Sequence, residues 1–365
     1  MNVLIGIMLI FACIGLVDKL IGGRFGLAVE VDKGLSLMGS TALGLLGIYC
    51  IGLEFVNANT DLIQSFSALF PFDASIIVGS FLAPDMGALP IALEISSSRE
   101  IGILSGALVG TTLGATICFQ LPIFLSVIEK KDVSFMMKGI ILGLIVIPVA
   151  LFAGSGMLGL SLFESFIQLT PIIVICLILS VAFYLAPHNT SKILGLVGNV
   201  IKAFTLILFA LTIANIYLPK LNLVNLSIIQ EAFFIVGKMA IIISGALVFS
   251  HIVLIIFRKQ LTFIANLLKV NEIAVLGLFL GLTSSLAMLP LFHQMDERGK
   301  IMNAAFSVGG AYTLGGQMAF VSDMVSSSEL WIYLATKLLA GLSAILITRF
   351  FFKTADVDVE KDNQA

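Results

Sequence analysis

Long apolar runs without a charged residue recur along this chain and constrain its fold more than any other feature. They cover residues 34–53, 101–128, 139–163 and 273–295. Each is at least as long as the roughly 20 residues that an α-helix needs to cross about 30 Å of hydrocarbon. Charged residues make up only 12% of the chain, about half of what a soluble domain carries. The sequence therefore predicts an all-α polytopic membrane protein.

About nine spanning helices are predicted from these and similar runs. They lie near residues 2–17, 36–56, 101–128, 136–158, 168–186, 193–218, 232–257, 301–320 and 330–350. The segment 351–365 is rich in charge, so we expect a solvated cytoplasmic tail.

Two further apolar segments, 74–95 and 272–292, are interrupted near their middle. The first contains Phe81-Leu-Ala-Pro-Asp-Met-Gly-Ala-Leu-Pro90 and the second Leu282-Thr-Ser-Ser-Leu-Ala-Met-Leu-Pro290. Proline removes a helix donor and clashes with the preceding turn, while glycine and serine favour a local reversal. Each segment is therefore either a kinked span or a re-entrant hairpin that enters and leaves the membrane on one face.

The positive charges favour the re-entrant alternative. With both segments re-entrant and the N-terminus outside, 16 of the 20 Lys and Arg residues fall on the cytoplasmic side. The other four, on or towards the outer side, are Arg99, Lys220, Lys238 and Lys337 (16 + 4 = 20). If both segments span instead, the split becomes 11 against 9. Because cytoplasmic loops are enriched in Lys and Arg, we predict two hairpins, an outside N-terminus and a cytoplasmic C-terminus.

A shift of 200 residues aligns the two interrupted segments. It brings Pro90 onto Pro290 (290 − 90 = 200), and Gly110 of the following helix onto Gly310. In the predicted topology the two hairpins also enter from opposite faces. We therefore predict an inverted repeat.

The predicted organisation is a 5+1+5 inverted-repeat transporter. The first repeat covers 1–158, a linking helix lies within 159–192, and the second repeat covers 193–350. Inverted repeats with discontinuous helices at matching positions are typical of secondary transporters. Irregular backbone at membrane depth is tolerated only where it is buried or lines a wet cavity. The two interruptions therefore point to the substrate site.

Asp85, at the first interruption, is the leading candidate for a substrate ligand. A carboxylate in an apolar segment costs about 3 kcal/mol on insertion scales, which either a bound cation or a helix-capping role would offset. The second interruption and the helices that follow offer further polar groups. These candidates are Thr283, Ser284, Ser285, Thr111, Thr112, Tyr312, Asn303, Gln317 and Glu94. The hydroxyl groups at the second interruption either contact the substrate or cap a helix. Tyr312 either faces an ammonium group through its ring or packs against neighbouring side chains.

The sequence gives little support to other functional classes. The four cysteines show no CxxC spacing, so neither a disulfide framework nor a metal site is predicted. There is no basic stripe for nucleic acid, no P-loop, and no GxSxG or HExxH motif for an intramembrane enzyme. We expect no cofactor. The run from His293 to Lys300 is interpreted as a solvated cytoplasmic loop.

The chain resembles the ethanolamine permeases of bacterial ethanolamine-utilisation systems. The resemblance is carried by Phe81-Leu-Ala-Pro-Asp-Met-Gly87 with Leu93-Glu94, and by a C-terminal block from Asn271 through Pro290 to Phe306. It follows the whole chain in order and hydropathy. The chain departs from the family pattern at two places: Ser284-Ser285 replaces paired asparagines, and Gly316-Gln317 replaces an Asp-His pair.

The resemblance implies uptake of ethanolamine, a small cationic amine, across the bacterial cytoplasmic membrane. We expect alternating access by a homodimer embedded in the lipid bilayer, with Asp85 holding the ammonium group. Whether H+ or Na+ is coupled to transport stays open. The alternatives are a carrier for another small amine or organic ion, and a gated channel.

Overall fold

The computed structural model describes residues 3–256 and 258–351, and every regular element within them is helical. The α-helices are α1 (Val3–Leu20), α2 (Leu27–Ala58), α3 (Thr60–Ser67), α4 (Ser75–Phe81), α5 (Ala88–Ile95), α6 (Arg99–Ile103), α7 (Leu121–Val127), α8 (Val133–Met157), α9 (Leu162–Leu185), α10 (Pro187–Tyr217), α11 (Leu226–Ile256), α12 (Arg258–Leu268), α13 (Glu272–Thr283), α14 (Leu289–Phe292), α15 (Glu297–Gly309), α16 (Gly316–Met324) and α17 (Ser327–Phe351). The predicted all-α polytopic class is confirmed. The predicted tail lies outside the described residues from position 352 onward.

Seven helical stretches of the described residues are long and apolar enough to cross a membrane. They are Leu27–Val56, Arg99–Phe124, Val133–Met157, Leu162–Leu185, Pro187–Tyr217, Leu226–Val253 and Ser327–Phe351. Counting the pair Gln260–Leu268 and Glu272–Thr283, bent by 104°, gives up to eight. The predicted number of about nine is therefore not confirmed.

The predicted continuous helix at 301–320 is wrong, because the chain leaves the helix between α15 and α16. Tyr312 there adopts a positive φ of 60°. The backbone N–H groups of Tyr312 and Leu314 donate instead to the carbonyl oxygens of Gly281 and Leu282, at 3.1 and 2.8 Å. The end of α13 thus takes over hydrogen bonds that a continuous helix would make internally.

The first interrupted segment comprises α4, a 3₁₀ turn at Pro84–Met86, and α5. Its two ends meet at Asp73, whose carboxylate accepts the N–H groups of Ser75 at 2.9 Å and Ser97 at 2.8 Å. With 7 and 8 residues, α4 and α5 are about 10 and 12 Å long. The chain therefore enters and leaves this segment at one place.

The second interrupted segment comprises α13, a 3₁₀ turn at Ser285–Met288, and α14. The two ends of this segment also lie side by side. We call the contact between the two ends of a segment its closure, so the first closure lies at Asp73 and the second at Asn271 and Asp296. The Asn271 N–H donates to Asp296 at 2.8 Å, and the Asn271 side-chain amide donates to the Gln294 carbonyl oxygen at 2.9 Å. Both interruptions predicted from the sequence are thus present, and each segment has adjacent ends.

The two closures lie towards opposite ends of α8, whose 25 residues span about 37 Å. Beside the second closure, Lys300 forms an ion pair of 2.7 Å with Asp132, which precedes α8. Beside the first closure, Arg99 pairs with Glu329 at the start of α17. Two turns further along α17, Thr336 packs against Gly154 near the end of α8.

The predicted solvated loop from His293 to Lys300 is correct only in its first half. Residues 293–296 are irregular, and His293 and Gln294 are exposed, but the chain is helical from Glu297 onward. Asp296 caps α15 by accepting the Gly299 N–H. Arg298 and Lys300 are only 6% and 8% exposed. The charges that suggested a loop are accommodated because Lys300 finds a buried carboxylate on a distant part of the chain.

Candidate functional site

The floor of the site is a π-helical segment that joins α6 to α7 and is formed by Leu104–Gly114 and Thr116–Gln120. The first interrupted segment packs on its glycines. A Cβ atom on Gly114 would overlap the carbonyl oxygens of Gly79 and Leu82, and one on Gly110 would lie 3.4 Å from Pro84 Cδ. Small residues thus allow the close approach of two backbones, and π-helical turns recur at functional sites.

Asp85 lies in the 3₁₀ turn directly against this floor. Its Oδ1 atom is buried and accepts no hydrogen bond from the described residues. The capping alternative finds no support, because the N-cap position of α5 is Gly87, with a φ of 94° and no side-chain cap. A buried carboxylate oxygen without a donor is costly. Asp85 is therefore well placed to bind a cation or a donor group.

Lys337 is a buried charged residue near the site that was not recognised from the sequence, since the charge count placed it on or towards the outer side. It is only 1% exposed and lies ten residues inside α17. Its ammonium group donates to the Thr111 carbonyl oxygen at 3.1 Å and interacts electrostatically with Asp85. Its depth within a 25-residue apolar helix is the signal that could have revealed it.

The second interruption brings its hydroxyl groups to Tyr312. Ser285 Oγ donates a hydrogen bond to Tyr312 Oη at 2.9 Å, and both residues are buried. Ser284 lies beside the same hydroxyl group and also caps the 3₁₀ turn by accepting the Leu286 N–H. Tyr312 in turn interacts electrostatically with Asp85. The two interruptions therefore converge.

Gln317 completes the group from the first turn of α16. It is 1% exposed, and neither its amide oxygen nor its amide nitrogen has a hydrogen-bond partner among the described residues. Because α16 packs against the Pro84–Met86 turn, this amide and the Asp85 carboxylate lie on contacting elements. A buried amide without partners is costly, although less so than a buried carboxylate oxygen without a donor.

The other predicted site residues have different surroundings. The hydroxyl groups of Thr111, Thr112 and Thr283 donate to carbonyl oxygens of their own helices. The Asn303 amide donates to the carbonyl oxygens of Ala274 and Gly299, at 2.9 Å each, and ties α15 to α13.

Glu94 is exposed and lies apart from these residues. It lines a cleft of about 490 Å³ at the first closure, together with Asp73 and Gln168. The structure therefore brings together Asp85, Ser284, Ser285, Tyr312 and Gln317, places Lys337 beside this group, and leaves Glu94 outside.

Such a group of residues can hold a small ligand that has a positive end and a hydroxyl end. The Asp85 carboxylate offers a charge-assisted hydrogen bond to an ammonium group. The Gln317 amide both donates and accepts, as does the hydroxyl pair of Ser285 and Tyr312. This arrangement offers a negative charge at one end and hydrogen-bonding groups at the other.

Comparisons with known proteins identify the family of the chain. The model of the family described as "Ethanolamine utilisation protein, EutH" matches residues 1–351. A probable ethanolamine permease EutH of Listeria monocytogenes is 30% identical over 348 residues, covering 95% of this chain and 92% of the relative. Its Salmonella typhimurium counterpart is 24% identical over 386 residues, covering 94% and 93%. The uncharacterized protein YxeR of Bacillus subtilis is 26% identical over 325 residues, covering 87% and 86%. No solved structure matches the chain significantly.

Proposed function

Because the chain belongs to the EutH family of ethanolamine-utilisation proteins, we propose that it is a multi-pass membrane permease, not an enzyme, and that it takes up ethanolamine. The observation that carries the proposal is the buried Asp85 carboxylate oxygen, which has no donor among the described residues. Ethanolamine is protonated at neutral pH, and its ammonium group supplies that donor. The bacterial cytoplasmic membrane is the proposed location.

In the proposed binding mode, the hydroxyl end of ethanolamine reaches the second half of the protein. Gln317 is the first partner, since both ends of its amide group are buried and without partners in the described chain. Ser285 and Tyr312 form the adjacent hydroxyl pair. One charge and two or three hydrogen bonds suffice to orient a molecule with four heavy atoms.

The proposed mechanism is alternating access by two inverted halves, 1–158 and 193–350, joined by 159–192. Three observations support it. Both interrupted segments have adjacent ends, which is the geometry of a re-entrant hairpin. Their closures lie towards opposite ends of α8. The 3₁₀ turns of the two segments converge on the buried polar group around Asp85. A site between two inverted halves can face either side of the membrane in turn.

Transport by the purified protein in proteoliposomes tests the proposed function. We expect saturable uptake of labelled ethanolamine, and counterflow in vesicles that contain unlabelled ethanolamine, because one carrier moves the substrate in both directions. Ethylamine, which lacks the hydroxyl group, is expected to compete more weakly than ethanolamine, and ethylene glycol not at all. Imposed proton and sodium gradients, varied separately, then identify the coupling ion.

Three results would contradict this proposal in different ways. Flux that rises linearly with concentration, without counterflow, would indicate a gated channel. Stronger competition by another amine or organic ion would replace ethanolamine as the preferred substrate. The absence of any flux above that of protein-free vesicles would overturn the transport function itself.

Accessibility of single cysteines tests the proposed orientation. In a background with Cys13→Ser, which removes the exposed native thiol, Lys130→Cys and Lys192→Cys are expected to react with a membrane-impermeant maleimide only from the cytoplasmic side. Lys220→Cys is the matched outer control and is expected to react from outside. Labelling of position 130 or 192 from outside would refute the re-entrant topology.

A homodimer is proposed as the working assembly. The exposed apolar residues of α10, among them Ile193, Leu196, Val200 and Phe204, form a face that either lipid or a second copy can cover. Cross-linking of a single cysteine at Leu196 within native membranes distinguishes the two, since only a dimer yields a covalent product of twice the mass.

A further inference from the structure

Lys337 carries an ammonium group into the protein interior, where the described part of the chain provides no direct counter-ion. Its Nζ atom donates one hydrogen bond, to the Thr111 carbonyl oxygen, and lies 5.8 Å from the centre of the Tyr333 ring. Within the described residues, no carboxylate oxygen lies within the 4.0 Å of an ion pair with this nitrogen. A buried charge usually requires a closer partner. This environment differs from that of Lys300, whose buried ammonium group touches Asp132 at 2.7 Å.

Asp85 is the negative group with which Lys337 interacts. Both are held by the same stretch of the π-helical segment. Gly110 packs against Pro84, the residue before Asp85, and the next residue, Thr111, accepts the hydrogen bond from Lys337. Asp85 thus lies near an internal cation, yet its Oδ1 atom accepts no hydrogen bond from the described residues.

We propose that Lys337 is an internal counter-ion that neutralises Asp85 when no substrate is bound and that competes with the ammonium group of the substrate. This inference rests on the proposed uptake of ethanolamine and assigns a role in the transport cycle to a residue outside the substrate contacts. One carboxylate cannot fully compensate two cations. Lys337 therefore weakens substrate binding and favours release.

The same residue allows the empty carrier to return. After release, a site without Lys337 would carry an uncompensated carboxylate through the interior of the membrane, where an isolated charge is disfavoured. With Lys337 present, the empty site is neutral. In net uptake, the carrier must return to the outer side empty. In exchange, the carrier returns with internal substrate bound. The two modes of transport therefore depend differently on Lys337.

The test compares the wild-type protein with Lys337→Met and Lys337→Arg in proteoliposomes. Methionine keeps an apolar chain of similar length and removes the charge, while arginine keeps the charge. For Lys337→Met we expect ethanolamine to bind at least tenfold more tightly by calorimetry. Exchange is expected to stay within about threefold of wild type, and net uptake into empty vesicles to fall at least tenfold. Lys337→Arg is expected to retain net uptake.

The alternative outcomes separate this inference from the proposed function. Weaker binding together with equal loss of exchange and net uptake in a folded Lys337→Met protein would overturn the inference, because Lys337 would then be a substrate contact or a structural residue. Unchanged binding and transport would overturn it as well. If methionine prevents folding, Lys337→Gln gives the same comparison. A wild-type protein that moves no ethanolamine would overturn the proposed function, and the inference with it.

Discussion

Replacing Asp85 with asparagine is expected to reduce ethanolamine uptake by roughly 30- to 5,000-fold, because truncating one partner of a buried charge pair costs about 2–5 kcal/mol. Asparagine has nearly the same volume as aspartate and can still bond to a hydroxyl group or an amine, so the change isolates the charge. The measurement is the initial rate of labelled ethanolamine uptake by proteoliposomes at low substrate concentration. Asp85→Glu, which restores the charge one methylene further out, is expected to recover part of the rate.

Glu94→Gln is the matched control, since it removes a carboxylate of the same chain from an exposed position outside the buried group. We expect its uptake to stay within about twofold of wild type. Melting temperature and elution volume in detergent show whether each variant is folded. Full uptake by a folded Asp85→Asn protein would remove Asp85 from the substrate site, and a large loss in Glu94→Gln would move the site towards the first closure.

Much of the fold could be predicted because its causes are local. Apolar runs of membrane-spanning length and the proline and serine interruptions near Asp85 and Ser284 are visible in the sequence itself. The break between α15 and α16 was not predictable in the same way. Gly309, Gly310, Gly315 and Gly316 flank it, but paired glycines are equally compatible with a continuous helix in close packing. The break depends on hydrogen bonds to residues some 30 positions earlier in the chain.

The candidate site, like the fold, could be predicted where the cause is local and could not where it depends on tertiary packing. The expense of a carboxylate in an apolar segment was enough to select Asp85, and that reasoning needs no knowledge of neighbouring residues. Asn303 is also a candidate from the sequence, yet its amide donors are occupied by the carbonyl oxygens of Ala274 and Gly299. The predicted topology alone places Lys337 on or towards the outer side. Its burial depends on which face of α17 packs against Thr111. Where a polar side chain finds a partner is decided by tertiary packing, which one sequence does not reveal.

Removing the buried ion pair at the second closure is expected to have the largest effect on stability. Lys300 and Asp132 have side-chain exposures of 10% and 2% and are 2.7 Å apart. The second Asp132 carboxylate oxygen already has no hydrogen-bond partner among the described residues. Lys300→Met therefore leaves a buried carboxylate without a counter-ion, which costs about 3–5 kcal/mol. The measurement is the free energy of unfolding by denaturant in detergent micelles.

Two comparisons show whether the cost arises from burial of the unpaired charge. Lys131→Met breaks the neighbouring pair with Glu129, whose N–O distance of 2.8 Å is similar but whose side chains are 66% and 55% exposed. That change is expected to leave the free energy of unfolding nearly unchanged, because solvent screens an exposed ion pair. The double variant Lys300→Met, Asp132→Leu removes both charges and is expected to recover most of the lost stability, because apolar residues can replace a buried pair. If the double variant is no more stable than Lys300→Met alone, the loss comes from packing at the start of α8. Equal losses in Lys300→Met and Lys131→Met would show that the second closure is solvated, which its burial contradicts.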